Sequence, residues 1–316
     1  VPTLRPDHGI RGPERPTARD IQALNRVFSD SFTDRYVRDG LAGVRVPFLN
    51  PLVWRYALED AGDGAMVWRD GDGQIVGFNM VHLSGEEGWM GPLAVRPDLQ
   101  GRGLGSTIVR TGIRWLREEG ARVIGLETMP RTVENIGFYS RLGFVPGPLT
   151  ITLVRELAGE GLRARRGSDD EVADADECRA LAEQIQPGVD YSRELAITRD
   201  LALGDTTIVR RGTQLVGFAL WHSAALAAGR PKDELRLLKL VATDLKAFQS
   251  LCDRIEAIAE AGRLRRVAIR CQTQFREVYR VLVQRGYRVH WTDLRMTLHD
   301  APEPLDQGIV LSNWEI

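Results

Sequence analysis

The sequence predicts an α/β fold of the mixed-sheet α+β kind, laid down as two tandem copies, and three observations carry that reading. The chain has 316 residues, which at roughly 150 per domain suggests about two domains. It also repeats itself. Gln74-Ile-Val-Gly-Phe-Asn-Met-Val-His82 matches Gln214-Leu-Val-Gly-Phe-Ala-Leu-Trp-His222 at an offset of 140, and Arg141-Leu-Gly-Phe144 matches Gln284-Arg-Gly-Tyr287 at an offset of 143. Pro92-Leu-Ala-Val95 and Leu238-Lys-Leu-Val241 fall between these in the same order. Three matches in register argue for duplication. Finally, strand and helix signals alternate after an opening hairpin, which calls for a mixed sheet with helices on its faces.

Each element follows from its local pattern. Ile21, Leu24, Val27 and Phe28 recur at helical spacing, and a shorter helix is expected near Leu52–Glu59. Two strands, Ala65–Arg69 and Ile75–Leu83, flank Asp70-Gly71-Asp72-Gly73, a strong hairpin turn. Trp89–Val95 reads as a third strand. A helix from about Gly103 to Glu119 stops at Gly120, Val123–Met129 is a strand, and Val133–Leu142 is a helix closed by Gly143. Leu149–Val154 ends the first copy. The second copy repeats the series from Leu162 to Leu298, and Leu157–Gly161 is the expected linker, dividing residues 1–158 from residues 159–316.

Composition excludes several classes. Lys+Arg 42 against Asp+Glu 43 leaves a net charge of −1, and residues 1–158 carry 19 of each sign. No basic domain is present to bind nucleic acid. Cys178, Cys252 and Cys271 are odd in number and far apart, unlike a disulfide framework or a metal site, so no metal is expected. No apolar run reaches the ~18 residues of a membrane helix. Val1 to Arg19 is polar and proline-rich, unlike a signal peptide. A cytoplasmic protein with no membrane partner is expected.

The chemistry lies in Arg96-Pro-Asp-Leu-Gln-Gly-Arg-Gly-Leu-Gly-Ser106. Pro97 stops the preceding strand by withholding a donor. Gly101, Gly103 and Gly105 let the backbone turn its N–H groups one way at a helix start, where the dipole favours an anion such as pyrophosphate. A P-loop would need a lysine, and none occurs before Lys232. A dinucleotide fingerprint would need Gly or Ala where Ser106 stands. A glycine-rich turn with no ligand is the bland alternative for this loop taken alone.

Leu93-Ala-Val-x-Pro97, Gln100-x-x-Gly-x-Gly105 and Asn135-Ile-Gly-Phe-Tyr-Ser-Arg-Leu-Gly-Phe144 stand in order. Together they make the chain resemble the Gcn5-related N-acetyltransferase (GNAT) superfamily, strongly over residues 10 to 156 and weakly over the second half. The resemblance implies two GNAT-like domains with splayed sheets. It also implies transfer of an acetyl group from acetyl-CoA to a primary amine of a small molecule, peptide or protein. A pantetheine arm would pair with Leu93, Ala94 and Val95. The pyrophosphate would lie on backbone donors of the loop, from Gln100 and Gly101 through Arg102, Gly103 and Leu104 to Gly105 and Ser106. Asn135 fills one family position for a pantetheine contact, and Thr132 departs from the other.

Tyr139 matches the family's general acid, beside the cofactor sulfur. A thiol ionises near pKa ~8.5, so this acid's contribution is modest. A lysine-like amine, with pKa ~10.4, must lose a proton before attack. The resemblance offers Glu127 as the base, with Glu86, Glu87 or a water-mediated path as alternatives, since one family position for a base is Trp89 here. His82 recurs as His222 in the other copy, which favours a structural role. Phe32, Arg35, Tyr36, Phe48, Trp54 and Arg55 crowd the expected acceptor side, although aromatics at helical spacing are more often core.

The second copy lacks these parts. No glycine lies between Val241 and Ala261, Leu282 stands opposite Tyr139, and roughly Cys271 stands opposite Glu127. One working copy, the first, is expected; the alternative is a non-catalytic acyl-CoA sensor or scaffold.

Overall fold

The structure is a computed structural model that describes residues 9–157, 174–304 and 307–314. Its first half runs β1 (Arg11–Glu14), α1 (Ile21–Arg38), α2 (Pro51–Ala61), β2 (Ala65–Arg69), β3 (Ile75–Ser84), β4 (Glu87–Val95), α3 (Leu104–Glu118), β5 (Val123–Thr128), α4 (Val133–Ser140) and β6 (Phe144–Glu156). The second runs α5 (Ala175–Ile185), α6 (Ser192–Asp200), β7 (Gly204–Arg211), β8 (Gln214–His222), β9 (Glu234–Ala242), α7 (Leu245–Ala261), β10 (Arg266–Gln272), α8 (Arg276–Gln284), β11 (Arg288–Leu298) and β12 (Ile309–Ser312).

Local chemistry explains the breaks. Between β2 and β3 the Asp70 carboxylate accepts the N–H groups of Asp72 and Gln74, and Gly73 supplies a φ of +78°. That is a side-chain-braced turn at the expected place. At α2 the Asn50 side chain caps the Leu52 N–H, and Pro51 occupies the first helical position, where no donor is needed.

The sheet is mixed and continuous, in the order β1-β2-β3-β4-β5-β11-β6-β10-β9-β8-β7. Each half gives its long strand to the other. β11 lies between β5 and β6, with Arg295 opposite Glu127, and β6 lies between β11 and β10, with Thr152 opposite Arg270. The two copies thus close one sheet about a pseudo-twofold centred on the β6–β11 pair. The sequence division at residues 158 and 159, and the linker beyond Leu157, lie outside the described residues.

Two features escape the periodicity. β1 is a short, exposed edge strand on β2, and β12 pairs with β9 beyond the last repeated element. Apolar side chains fill cores on both faces. In the first half Met90, Leu104, Ile108, Leu116 and Ile124 pack under α3, while Leu24, Trp54, Ala57 and Phe78 pack under α1 and α2. Burying each such large side chain contributes about 1.5–3 kcal/mol.

Candidate active site

β4 and β5 are parallel neighbours only from Glu87–Val123 to Met90–Leu126. Beyond Met90 the strands part. A bulge marks the point: Val81 stands opposite Met90 but Asn79 stands opposite Leu93, so β4 spends one residue more than β3. Gly91, at φ +153°, occupies that bulge. Its carbonyl accepts from His82 Nε2 at 2.9 Å, and His82 Nδ1 meets the Asp60 carboxylate at 2.6 Å. Burial pushes the Asp60 carboxyl up, but the charges of His82 and Arg193 outweigh it and hold the group below its ordinary range. His82 therefore braces the bulge, as a structural histidine would.

The alternation of antiparallel bonds decides what faces the gap. The Arg96 N–H bonds to the Val76 carbonyl, so the backbone groups of Leu93 and Val95 turn away from β3. Ser31 Oγ and Gln100 Nε2 each donate to the Val95 carbonyl, at 3.0 Å. Past Pro97–Leu99 the chain turns through Gly101 at φ +75° and Gly103 at φ +92°. These left-handed angles favour glycine, and a Cβ on either would meet nothing within 4 Å, so the cradle opens on free space. Thr107 is the first residue of α3 whose N–H bonds back, to Gly103. The amides of Leu104, Gly105 and Ser106 are the unpaired donors of a helix start, suited to an anion. Arg102 is exposed beside them.

α4 closes on this corner. Phe138 lies 3.5 Å, and Val95 4.0 Å, from where a Cβ on Gly105 would stand. Tyr139 is buried, with Phe138 and Phe144 at 5.0 and 6.1 Å between ring centroids. Burial pushes its phenol well above the ordinary value, which keeps the proton on. Asn135, one turn earlier, reaches toward Thr128 Oγ1 at 3.5 Å. Thr132 is engaged elsewhere: its hydroxyl donates to Asp39 at 2.6 Å.

Comparison with known proteins follows this geometry. Residues 23–144 match the model of the acetyltransferase (GNAT) family. That stretch is similar to GNAT acetyltransferase domains. Mycothiol acetyltransferase of Streptomyces coelicolor is 36% identical over 76 residues, which are 23% of this chain and 25% of that protein. The match thus spans about a quarter of that relative's length. A GCN5-related N-acetyltransferase from Sphaerobacter thermophilus has a TM-score of 0.62 at 14% identity, covering 97% of this chain and all of that one. A tandem GNAT protein from the clavulanic acid biosynthesis pathway has a TM-score of 0.57 at 12% identity over 94% of this chain and all of that one. At these identities the structural likeness is one of fold.

Within the matched stretch, Glu127 stands one residue beyond the last β4–β5 pair and its side chain is buried. Thr150 donates to its Oε1 and Arg270 to its Oε2, each at 2.5 Å. Arg270 also bonds Asp293 at 3.0 Å. Register corrects the alignment here. Val81–Met90 and Trp221–Leu237 are matching pairs, and β9 meets β10 at Arg236–Ala268, so Leu237 lies level with Ile269 as Met90 does with Leu126. The counterpart of Glu127 is therefore Arg270, its own ion-pair partner, and not Cys271. Cys271 is a buried free thiol one residue on.

The other candidate acids lie away from the gap. Glu87 is buried at the paired end of β4, where it accepts from the Tyr191 hydroxyl at 3.1 Å, and Glu86 is ion-paired with Arg122. Trp54 is fully buried and donates to Asn25 at 2.7 Å, so it belongs to the core. Arg55 pairs with Glu59 along α2. Arg35 links Asp39 and Glu134, joining α1 to the first turn of α4. Tyr36 lies 6.0 Å from Trp291. Arg270, Trp291, Asp293 and Arg295 of the second half were not foreseen, because only the strand exchange carries them to the first half. Among the described residues no helix is long and apolar enough to cross a membrane, and no cluster of His, Cys, Asp and Glu is placed to hold a metal.

Proposed function

We propose that the first half is an acetyl-CoA-dependent N-acetyltransferase acting on a primary amine. The observation that supports it most is the backbone edge of Leu93 and Val95, turned away from β3 and leading straight into the glycine cradle, inside the stretch that matches the GNAT family. Acetyl-CoA supplies the acetyl group as a thioester.

The chain's own groups divide the remaining work. The Leu93 backbone and the Val95 N–H offer a strand edge to the pantetheine amides while Ala94 pairs with Phe78, and the amides of Gly101 through Ser106 hold the pyrophosphate, with Gln100 fixing the loop to Val95. Asn135 adds a polar contact from α4. Tyr139, kept protonated by burial, hands its proton to the departing thiolate. Glu127 receives the proton of the amine. Thr150 and Arg270 fix the carboxylate's orientation.

The test is calorimetric titration of the full chain with acetyl-CoA, followed by a screen of amines for thiol release. Binding at one site with amine-dependent thiol release is expected. Binding without release across small amines, polyamines and peptide N-termini would leave an acyl-CoA sensor in its place.

A further inference from the structure

The second half has the same parting of strands as the first. β9 and β10 are parallel neighbours from Glu234–Arg266 to Arg236–Ala268 and then diverge. Gly217–Ala242, Phe218–Val241 and Ala219–Leu240 reproduce Gly77–Val95, Phe78–Ala94 and Asn79–Leu93. The Thr243 N–H bonds to the Val216 carbonyl just as Arg96 bonds to Val76, so Leu240 and Ala242 turn their backbone groups into the gap.

That gap is filled. β12 runs antiparallel along the free edge of β9, with Ile309 opposite Ala242, Val310 opposite Val241, Leu311 opposite Leu240 and Ser312 opposite Lys239. It stands against the counterparts of Val95, Ala94 and Leu93, the residues assigned to the pantetheine arm. The pairing extends at its far end, where the Asn313 N–H bonds to the Leu238 carbonyl at 2.8 Å. Side chains alternate between two cores: Ile309 and Leu311 join Phe248 and Leu251, while Val310 and Trp314 join Leu220 and Tyr191. Polar groups fix the register. Gln272 Nε2 donates to the Ser312 carbonyl at 2.9 Å, and Arg295 Nη2 to its hydroxyl at 3.0 Å. Lys239 Nζ donates to the Asn313 carbonyl at 3.1 Å.

The anion end of the gap is also remade. Eight residues separate β4 from α3, but only Thr243 and Asp244 separate β9 from α7. The Asp244 side chain caps the Ala247 N–H at 2.9 Å and places a carboxylate at the helix start. A pyrophosphate there meets a negative charge and an occupied donor.

We infer that the gap of the second half is a peptide-strand site whose ligand is the chain's own 308–314 segment, and that it takes no acyl-CoA. A strand satisfies the same edge donors and acceptors as a pantetheine arm and adds side chains that fill both flanking cores. The comparison between gaps rests on the reading that the first one takes acetyl-CoA; the occupancy of the second does not.

Hydrogen exchange of the full chain, with and without acetyl-CoA, separates the two. Residues 307–314 are expected to exchange roughly a thousandfold slower than an unpaired segment in both conditions. Residues 87–106 gain protection with acetyl-CoA, and residues 234–242 do not change. Free exchange of 307–314, or new protection of 234–242 on adding acetyl-CoA, would overturn the proposal. If 307–314 is protected and 87–106 does not respond, the strand site stands and the first-half reading falls. A variant sharpens the case: Leu311→Pro in the full chain removes a donor facing Leu240. It is expected to lower Tm while acetyl-CoA still binds at one site per chain. Two sites would make β12 a gate over a second cofactor gap and overturn the assignment.

Discussion

Leu93 and Val95 of one half, and Leu240 and Ala242 of the other, turn the same backbone groups into the same kind of gap, yet the two gaps have opposite fates. The first opens onto a loop with two left-handed glycines and unpaired amides. The second holds β12 and ends on the Asp244 cap. The two halves share the strand architecture, which the sheet needs for its own core. The loop answers to no such demand, so it can be shortened as soon as the gap is stabilised by something else. The consequence is that a splayed sheet alone does not identify a cofactor site; what lies in the gap and at its anion end does.

The counterparts Glu127 and Arg270 offer the largest expected effect. They meet near the pseudo-twofold, and both are buried. Glu127→Gln takes a charged partner from the buried Arg270 guanidinium, and loss of one partner of a buried pair costs about 3 kcal/mol or more. Denaturant unfolding should show that loss, with partial recovery in Glu127→Gln/Arg270→Gln. The residual activity carries the second readout. A lost base shifts activity toward high pH, where an amine of pKa ~10.4 deprotonates unaided. A pH profile superimposable on wild type would leave Glu127 as the partner of Arg270 only.

Gly103→Asp makes the first half imitate the second at its anion end. Aspartate is strained at φ +92° and carries its charge into the cradle. Acetyl-CoA affinity should fall by about 100-fold or more, measured by calorimetry, with little change in the unfolding of the rest of the chain. Undiminished binding would place the pyrophosphate elsewhere.

Much of this comparison was legible before any coordinates. Periodicity and the Asp70–Gly73 turn placed β2 to β5, α3 and α4 within a few residues, because hairpin chemistry and amphipathic spacing are local. The glycine loop was legible for the same reason. The exchange of β6 and β11 was not, since either strand could pair at home or abroad with the same alternation. Arg270 and Asp293 therefore stayed invisible as neighbours of Glu127. β12 was missed because four residues carry too little pattern, and the repeat that organised everything else ends before it.

Tyr139→Phe makes the first half resemble the second at the position of Leu282. The ring stays packed against Phe138 and Phe144, so folding and acetyl-CoA affinity should hold within about twofold. Turnover should drop by roughly 10- to 100-fold, at or below the low end of general-acid effects, because a thiolate is already a tolerable leaving group. An unchanged rate would move the proton donor to another group.

The smallest effect tests the buried charges behind β12. Burial, with Asp60 nearby, pushes the Glu194 carboxyl up to about 7, and burial pushes the Lys239 ammonium down to about 8. The signs are opposite. The folded state binds the Glu194 proton more tightly than the unfolded chain, so that contribution is full below about 4.5 and is lost as pH rises through 7. For Lys239 the folded state binds the proton less tightly, so stability is regained as pH rises from about 8 toward 10.5. Together they place a shallow minimum of stability between pH 7 and 8. Glu194→Gln should flatten the falling limb, so that its Tm gains on wild type between pH 5 and 7.5. Parallel Tm curves for the two proteins would mean that the Glu194 carboxyl does not change charge in that window, and would leave Lys239 as the titrating group beneath the strand.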